Sequence, residues 1–132
     1  MPLYVPVDID IQLVASRSDL VAFKWAGSGI SADFVLPDDP FHVLRVAFDK
    51  QCIVRLLDEM PLSTEEDDGP NEGLRPEHFA YNVEGAAFAR SQSEAWKLSF
   101  GVPLHWRFVT GWTCMDVLSS AHPTFKRASA VG

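Results

Sequence analysis

Acidic residues gather in one stretch of this 132-residue chain, the connection spanning residues 61–78. It holds five candidates for binding a partner: Glu65, Glu66, Asp67, Asp68 and Glu72. A connection of this length without hydrophobic periodicity is uncommon inside a compact domain, and is usually functional or disordered. Because complementary potentials speed encounter and select partners, the sequence predicts that this acidic loop docks on a basic protein surface. The simpler alternative is a solvated, mobile hairpin connection whose charges keep a sheet edge from sticking to other chains.

The acidic loop does not fit a calcium site, which needs acids at its first, third and fifth positions and glycine at the sixth. Placing Gly69 sixth puts Thr64 first, and placing Gly73 sixth puts Pro70 third. The histidines also lie too far apart in the chain for a zinc-binding pair on one helix. They are His42, His78, His105 and His122. The sequence therefore predicts no metal site and no cofactor.

Aromatic residues and one histidine form the second candidate site, a ligand pocket. Its predicted residues are Trp25, Trp106, Trp112 and His105. Packed aromatics are the expected core of a small sandwich, whereas a barrel mouth lined by them could hold a small apolar or sugar-like ligand. The pocket is therefore the alternative to a partner-binding loop.

Candidate nucleophiles are limited to Cys52 and Cys114, and both lie in apolar runs. Desolvation in such surroundings raises the pKa of a thiol and makes it inert. We expect two reduced thiols, with a disulfide between neighbouring strands as the alternative. No nucleophile elbow or phosphate-binding loop occurs, and the glycines at 27 and 29 indicate a turn. The sequence therefore predicts no catalytic residues, which favours a non-enzymatic protein while leaving a minor enzyme open.

Charge is distributed unevenly along the chain, whose formal net charge is −7. Between Asp58 and Glu77 there are eight acids and one base, Arg75, so this segment alone carries −7. We call residues 58–77 the acidic segment. The remainder is electrically balanced, and such a body lacks the basic face that binding to nucleic-acid backbones needs. We therefore predict a protein partner with a basic surface and no nucleic acid.

Alternating apolar residues predict β-strands along most of the chain. The first strand is predicted over residues 5–13, joined in a hairpin to a second strand at 21–25. Another hairpin is predicted between residues 41–48 and 52–57, with a tight turn at Asp49. Further strands are predicted at 79–83, 104–108 and 113–118.

The strand count decides the predicted fold class. Within residues 84–98, alanine-rich helical spacing competes with Gly85 and a run of polar residues, so one short helix is an open alternative. Seven to nine short strands predict a mainly β fold, an antiparallel sandwich or partly open barrel, or α+β if that helix forms. We predict a single domain over residues 1–132, with residues 124–132 as a mobile tail.

The chain has no run approaching the roughly 18 apolar residues of a membrane span, and its first residues lack the charged region of a secretory signal. We therefore expect a soluble cytoplasmic protein without membrane contact. The predicted function is a small interaction domain whose acidic loop or exposed strand edge occupies a basic surface of a partner. In its small size, acidic charge and β-rich build, though without a shared motif, it resembles bacterial immunity proteins and other inhibitors. The alternative is a ligand-binding β-barrel with the tryptophan-lined pocket.

Overall fold

The computed structural model of the protein describes residues 2–49, 52–63, 65, 72–93, 95 and 104–130. Within these residues nine strands form two antiparallel sheets that pack together and are not closed into a barrel. The strands are β1 (Leu3–Pro6), β2 (Leu20–Ala26), β3 (Gly29–Val35), β4 (His42–Phe48), β5 (Cys52–Asp58), β6 (Ala80–Glu84), β7 (Leu104–Phe108), β8 (Thr113–Ser119) and β9 (Thr124–Ser129). The described helices are α1 (Glu59–Ser63), α2 (Ala87–Arg90) and a 3₁₀ turn at Ala15–Arg17.

The two sheets confirm the predicted mainly β antiparallel fold, and because they pack together without closing into a barrel they form a sandwich. The five-stranded sheet has the order β1-β6-β7-β8-β5, and the four-stranded sheet has the order β2-β3-β4-β9. The described residues contain two short α-helices: α2 lies inside the stretch 84–98, where one short helix was an open alternative, and α1 was not predicted. No helix in the described part of the chain is long and apolar enough to cross a membrane.

The main core lies between the two sheets. Along β3 and β4 every second side chain is apolar and buried, which places one face of each strand against the other sheet. Three rings meet at the centre: Phe79 lies 4.8 Å from Phe34 and 5.5 Å from Phe108, measured between ring centroids. Aromatic packing therefore contributes much of the contact that holds the sheets together.

The outer face of the five-stranded sheet is buried as well. On β7, His105 and Arg107 are buried although they point away from the core, and β8 buries Asp116 on the same face. Helix α1 packs on β5 and β8, and the ring of Phe88 from α2 contacts His105. Strands β7 and β8 therefore have almost no solvent-exposed face, and polar groups on them must find hydrogen-bond partners inside the protein.

Both predicted hairpins are wrong in their pairing. Strand β1 ends at Pro6 and pairs with β6 rather than β2, while the later apolar residues up to Leu13 pack against the core without forming a strand. Strands β4 and β5 belong to different sheets. Alternation of apolar residues shows which side chains are buried. The same alternation occurs in a segment that packs over the core without pairing and in a paired strand, so it does not identify the neighbouring strand.

The segment predicted as a mobile C-terminal tail contains a paired strand. Residues 124–129 form β9, which pairs with β4 along its length. The ring of Phe125 lies 6.2 Å from that of Phe108 in the core. The ring of Phe125 and the complete hydrogen-bond ladder with β4 hold this segment in the fold, although its polar sequence is typical of a mobile terminus. Residues 131 and 132 lie outside the described part.

Candidate functional site

Asp116 is the centre of a buried charge network on the outer face of the five-stranded sheet. On strand β8 it lies directly across from Arg107 of β7 on one side and from Arg55 of β5 on the other. Arg107 Nε donates to Asp116 Oδ1 at 2.6 Å, and Arg55 Nη2 donates to Oδ2 at 2.7 Å. The antiparallel register thus places two cations on one fully buried carboxylate.

Three further side chains complete the inner part of the network. His105 Nε2 lies 2.7 Å from Asp116 Oδ1, and since an ionised carboxylate only accepts, this nitrogen carries the proton and donates. Arg107 Nη1 donates to the hydroxyl of Tyr4. The ring of Phe88 lies 4.3 Å from the guanidinium carbon of Arg55, a cation–π distance.

Glu65 closes the network from the acidic segment. Arg55 holds its carboxylate with both terminal nitrogens, Nη1 to Oε2 and Nη2 to Oε1 at 3.0 Å. Its side chain is only 21% exposed. Glu65 was predicted to bind a partner, and in the structure its carboxylate is paired with an arginine of the sheet. The physical reason is that Arg55 projects from a covered face, where an unpaired guanidinium would be costly.

The charge state of the network follows from these contacts. Burial alone would raise the pKa of Asp116, but the hydrogen bond from His105 and the charge of Arg107 lower it to about 2. The hydrogen bonds from Arg55 lower the pKa of Glu65. Burial opposes the charged forms of Arg55 and Arg107, yet their carboxylate partners raise both pKa values. All four groups are therefore ionised near neutral pH.

Three buried side-chain nitrogens of β7 have no hydrogen-bond partner within the described residues. They are Nδ1 of His105 and Nη2 of Arg107 on the outer face, and Nε1 of Trp106 on the core side. Arg107 Nη2 comes no closer than 3.7 Å to Glu65 Oε1, which is too long for a hydrogen bond. Nη2 of Arg107 is therefore an unused hydrogen-bond donor next to the carboxylate of Glu65.

The network can hold an anion and orient a proton-bearing imidazole. It has two fixed guanidinium groups, which recognise carboxylate and phosphate oxygens through paired hydrogen bonds. His105 has the Asp-held geometry of a general base, but it is buried beneath Phe88 and no nucleophile is paired with it among the described side chains. Nor does any group of three or more metal-ligating side chains occur in the described ranges. Anion binding is the chemistry that this site is best equipped for.

Comparisons with protein-family models, with curated proteins and with solved structures find no match to this chain.

The other predicted partner-binding residues have different surroundings. Glu72 is exposed, and its backbone bridges to the β1 strand: Tyr4 N donates to Glu72 O at 2.7 Å, beside a parallel bridge between Leu3 and Glu72. Glu66, Asp67 and Asp68 lie outside the described residues. The predicted loop is also less irregular than expected, because residues 61–63 belong to α1.

The predicted tryptophan pocket is not brought together in one place. Trp106 is buried in the core, while Trp25 at the end of β2 is 62% exposed and Trp112 between β7 and β8 is 54% exposed. His105 and Trp106 are neighbours on β7 and so point to opposite faces of the sheet. Cavities of about 320, 300 and 470 Å³ open between described residues, and none of the three described tryptophans lines them.

The cysteines are free, as the sequence predicts, and burial raises the pKa of both thiols. Sequence reasoning missed Arg55, Arg107 and Asp116, which the structure makes central. A signal for them was available. Each is a single charged residue inside an otherwise apolar strand sequence, IVRLL, HWRF and CMDVL. Opposite charges in strands that are buried on both faces indicate internal pairing, because an isolated buried charge is costly.

Proposed function

We propose that this chain is a protein-binding domain whose acidic segment docks on a basic surface of a partner protein. The observation that carries the proposal is the concentration of the formal net charge, −7, in residues 58–77 of an otherwise balanced chain. A localised negative field attracts a basic partner from solution and opposes association with acidic ones. It gives the chain a single preferred docking region.

Attachment of the segment to the sandwich supports this proposal. Glu59 N donates to Trp112 O at 2.7 Å near one end, and Glu72 is hydrogen-bonded to the β1 strand near the other. Between these points Glu65 is held by Arg55. A segment that is already anchored loses less conformational entropy when it binds. The described acids next to these attachment points can therefore act as a preorganised surface.

The exposed side chains of the segment have the composition of a protein interface. Asp58, Glu72 and Glu77 are exposed acids. Met60 and Leu74 are exposed apolar residues of the same segment. Protein interfaces combine apolar anchors with a polar rim. The proposed partner surface therefore has basic residues around an apolar patch.

The proposed partner is a protein in the cytoplasm, and nucleic acid is disfavoured by the missing basic face. Two unpaired cysteines, Cys52 and Cys114, fit a compartment that keeps thiols reduced. A strand edge is the alternative route to the same partner. Edge strand β2 has the exposed side chains Val21 and Trp25 and a bulge after Leu20 that interrupts a regular edge.

The proposal is tested with two variants of equal formal charge. The first carries Glu66→Gln, Asp67→Asn and Asp68→Asn in the acidic segment. The matched control carries Asp8→Asn, Asp10→Asn and Asp49→Asn, three exposed acids of the balanced body. Glu65 is left intact in both because its carboxylate is structural. Proteins retained by the immobilised wild-type chain from a native lysate are identified by mass spectrometry, purified and titrated calorimetrically against all three chains.

The proposal expects a basic partner whose affinity falls at least about tenfold, roughly 1.4 kcal/mol, with the segment variant. The control variant should bind it as the wild type does. Raising the salt concentration from 50 to 500 mM should weaken the wild-type complex strongly. Equal affinity of the two variants, or an affinity that salt does not change, would contradict docking through the acidic segment.

A further inference from the structure

The buried network has a donor that its own carboxylates do not satisfy. Arg107 uses Nε on Asp116 and Nη1 on Tyr4, while its Nη2 has no hydrogen bond within the described residues. The nearest acid oxygen, Oε1 of Glu65, is 3.7 Å away. A buried donor without an acceptor costs free energy. The site is therefore short of one acceptor oxygen beside Glu65.

Glu65 cannot supply that oxygen from its present position. The fork of Arg55 fixes both of its carboxylate oxygens and holds Oε1 3.7 Å from Arg107 Nη2, which is beyond hydrogen-bond reach. A planar carboxylate has two oxygens, whereas a tetrahedral oxyanion such as phosphate has at least three acceptor oxygens outside any ester bond. An anion of this shape could accept from the fork of Arg55 and from Nη2 of Arg107 together. It would satisfy the network better than Glu65 does.

The charge of the network also requires an anion at this position. Arg55 and Arg107 are balanced by Asp116 and Glu65 only while Glu65 is docked. Withdrawal of Glu65 leaves one uncompensated positive charge on a covered sheet face, which is costly. The side chains of Arg55 and Glu65 are 25% and 21% exposed, so this end of the network reaches solvent. Replacement of one anion by another from solution needs no opening of the sheet.

We propose that Arg55 and Arg107 form a binding site for a small tetrahedral oxyanion of the phosphate class, which competes with the carboxylate of Glu65. In the structure Glu65 occupies the place of the anion. Binding of the anion detaches the acidic segment at Glu65. This inference stands on the arginine geometry and does not depend on the proposed protein partner.

The test compares two variants that each free an arginine from its carboxylate. Glu65→Gln removes the competing charge and keeps the side-chain shape. Asp33→Asn is the matched control, because Arg45 holds Asp33 with a similar fork, 2.8 and 3.0 Å, on the four-stranded sheet. The probes are inorganic phosphate and phosphoethanolamine, with sodium chloride at matched ionic strength. Affinity is measured by calorimetry, and circular dichroism verifies that each variant is folded.

The expected result is that phosphate binds the Glu65→Gln variant at least ten times more tightly than the wild type. Asp33→Asn should show no gain, and adding Arg55→Gln to Glu65→Gln should abolish it. A gain with phosphoethanolamine alone would identify a phosphate ester as the ligand and would support the same site. No gain with either probe, or an equal gain in Asp33→Asn, would overturn the proposal.

A second measurement uses the unmodified chain in case the variants do not fold. Millimolar phosphate should shift the side-chain ¹⁵Nε resonances of Arg55 and Arg107 in a nitrogen–proton correlation spectrum, while the resonance of Arg45 stays in place. Chloride at the same ionic strength should shift none of them. Arginine resonances that respond equally to phosphate and chloride would overturn the site by this route.

Discussion

Arg107 of β7 and Asp116 of β8 face each other across the antiparallel ladder, and Arg107 Nε donates to Asp116 Oδ1 at 2.6 Å. Both side chains are almost completely buried. Desolvation offsets much of the attraction in such a pair, so further hydrogen bonds to its remaining lone pairs are needed for it to stabilise the fold. Here Asp116 also bonds to His105 and Arg55. The carboxylate therefore connects β5, β7 and β8 beneath the acidic segment.

Substitution Asp116→Asn should destabilise the protein strongly. It leaves Arg107 and Arg55 without their shared counter-ion in a covered position, and removal of one partner of a buried pair typically costs about 3–5 kcal/mol. Asp33→Asn breaks the more exposed pair with Arg45, where a loss of about 0–1 kcal/mol is expected. Urea unfolding of the two variants measures both values. Similar losses in the two variants would show that the network contributes no more than a surface pair.

Acid should destabilise the protein through Asp116 in a defined pH range. Its pKa in the folded state, about 2, lies below the ordinary value of 3.8. The contribution of the ionised group is therefore fully present above about pH 4 and is lost as pH falls through 2. For this difference the contribution is about 2 kcal/mol. Free energies of unfolding between pH 5 and 2 should fall less steeply for Asp116→Asn than for the wild type, and parallel curves would contradict the assignment.

Gly73 should be required where the acidic segment meets β1. Its φ is +90°, and a Cβ there would lie 1.9 Å from the carbonyl oxygen of Tyr4. Gly73→Ala should cost at least about 1–3 kcal/mol from the backbone conformation alone. Gly27→Ala is the control, because a Cβ at Gly27 meets nothing within 4 Å. Thermal unfolding of both variants tests this attachment, and an equally stable Gly73→Ala variant would show that the segment is not held at β1.

Much of the fold could be predicted from side-chain alternation, because burial of one face imposes a period of two on each strand. The strands containing Phe23, Val46 and Phe108 were found in this way. Pairing could not be predicted. The residues around Asp49 signal a tight turn between paired strands, but the flanking strands β4 and β5 belong to different sheets. Pairing depends on long-range packing, which local pattern does not contain.

The candidate site could be predicted only in pieces. Glu65 and His105 were both selected, one as a partner-binding acid and the other as a pocket residue, and the structure joins both to Asp116 through the same network. The joining residues were overlooked because charged side chains in a strand are normally assigned to its solvent face. On β7 and β8 that face is covered. Burial of a strand on both faces depends on which segments pack over the sheet. The local sequence around Glu65 does not indicate that it packs there.

The central claim is that Glu65 is a docked counter-ion of the sheet rather than a free acid of the segment. Carbon-detected NMR titration of the side-chain carboxyl groups tests it directly. The account predicts that Glu65 titrates below the ordinary glutamate pKa of 4.5 and Asp116 near 2. It also predicts that Arg55→Gln returns Glu65 toward the ordinary value. A Glu65 carboxyl that titrates at the ordinary value in the wild type, and does not respond to Arg55→Gln, would contradict the account.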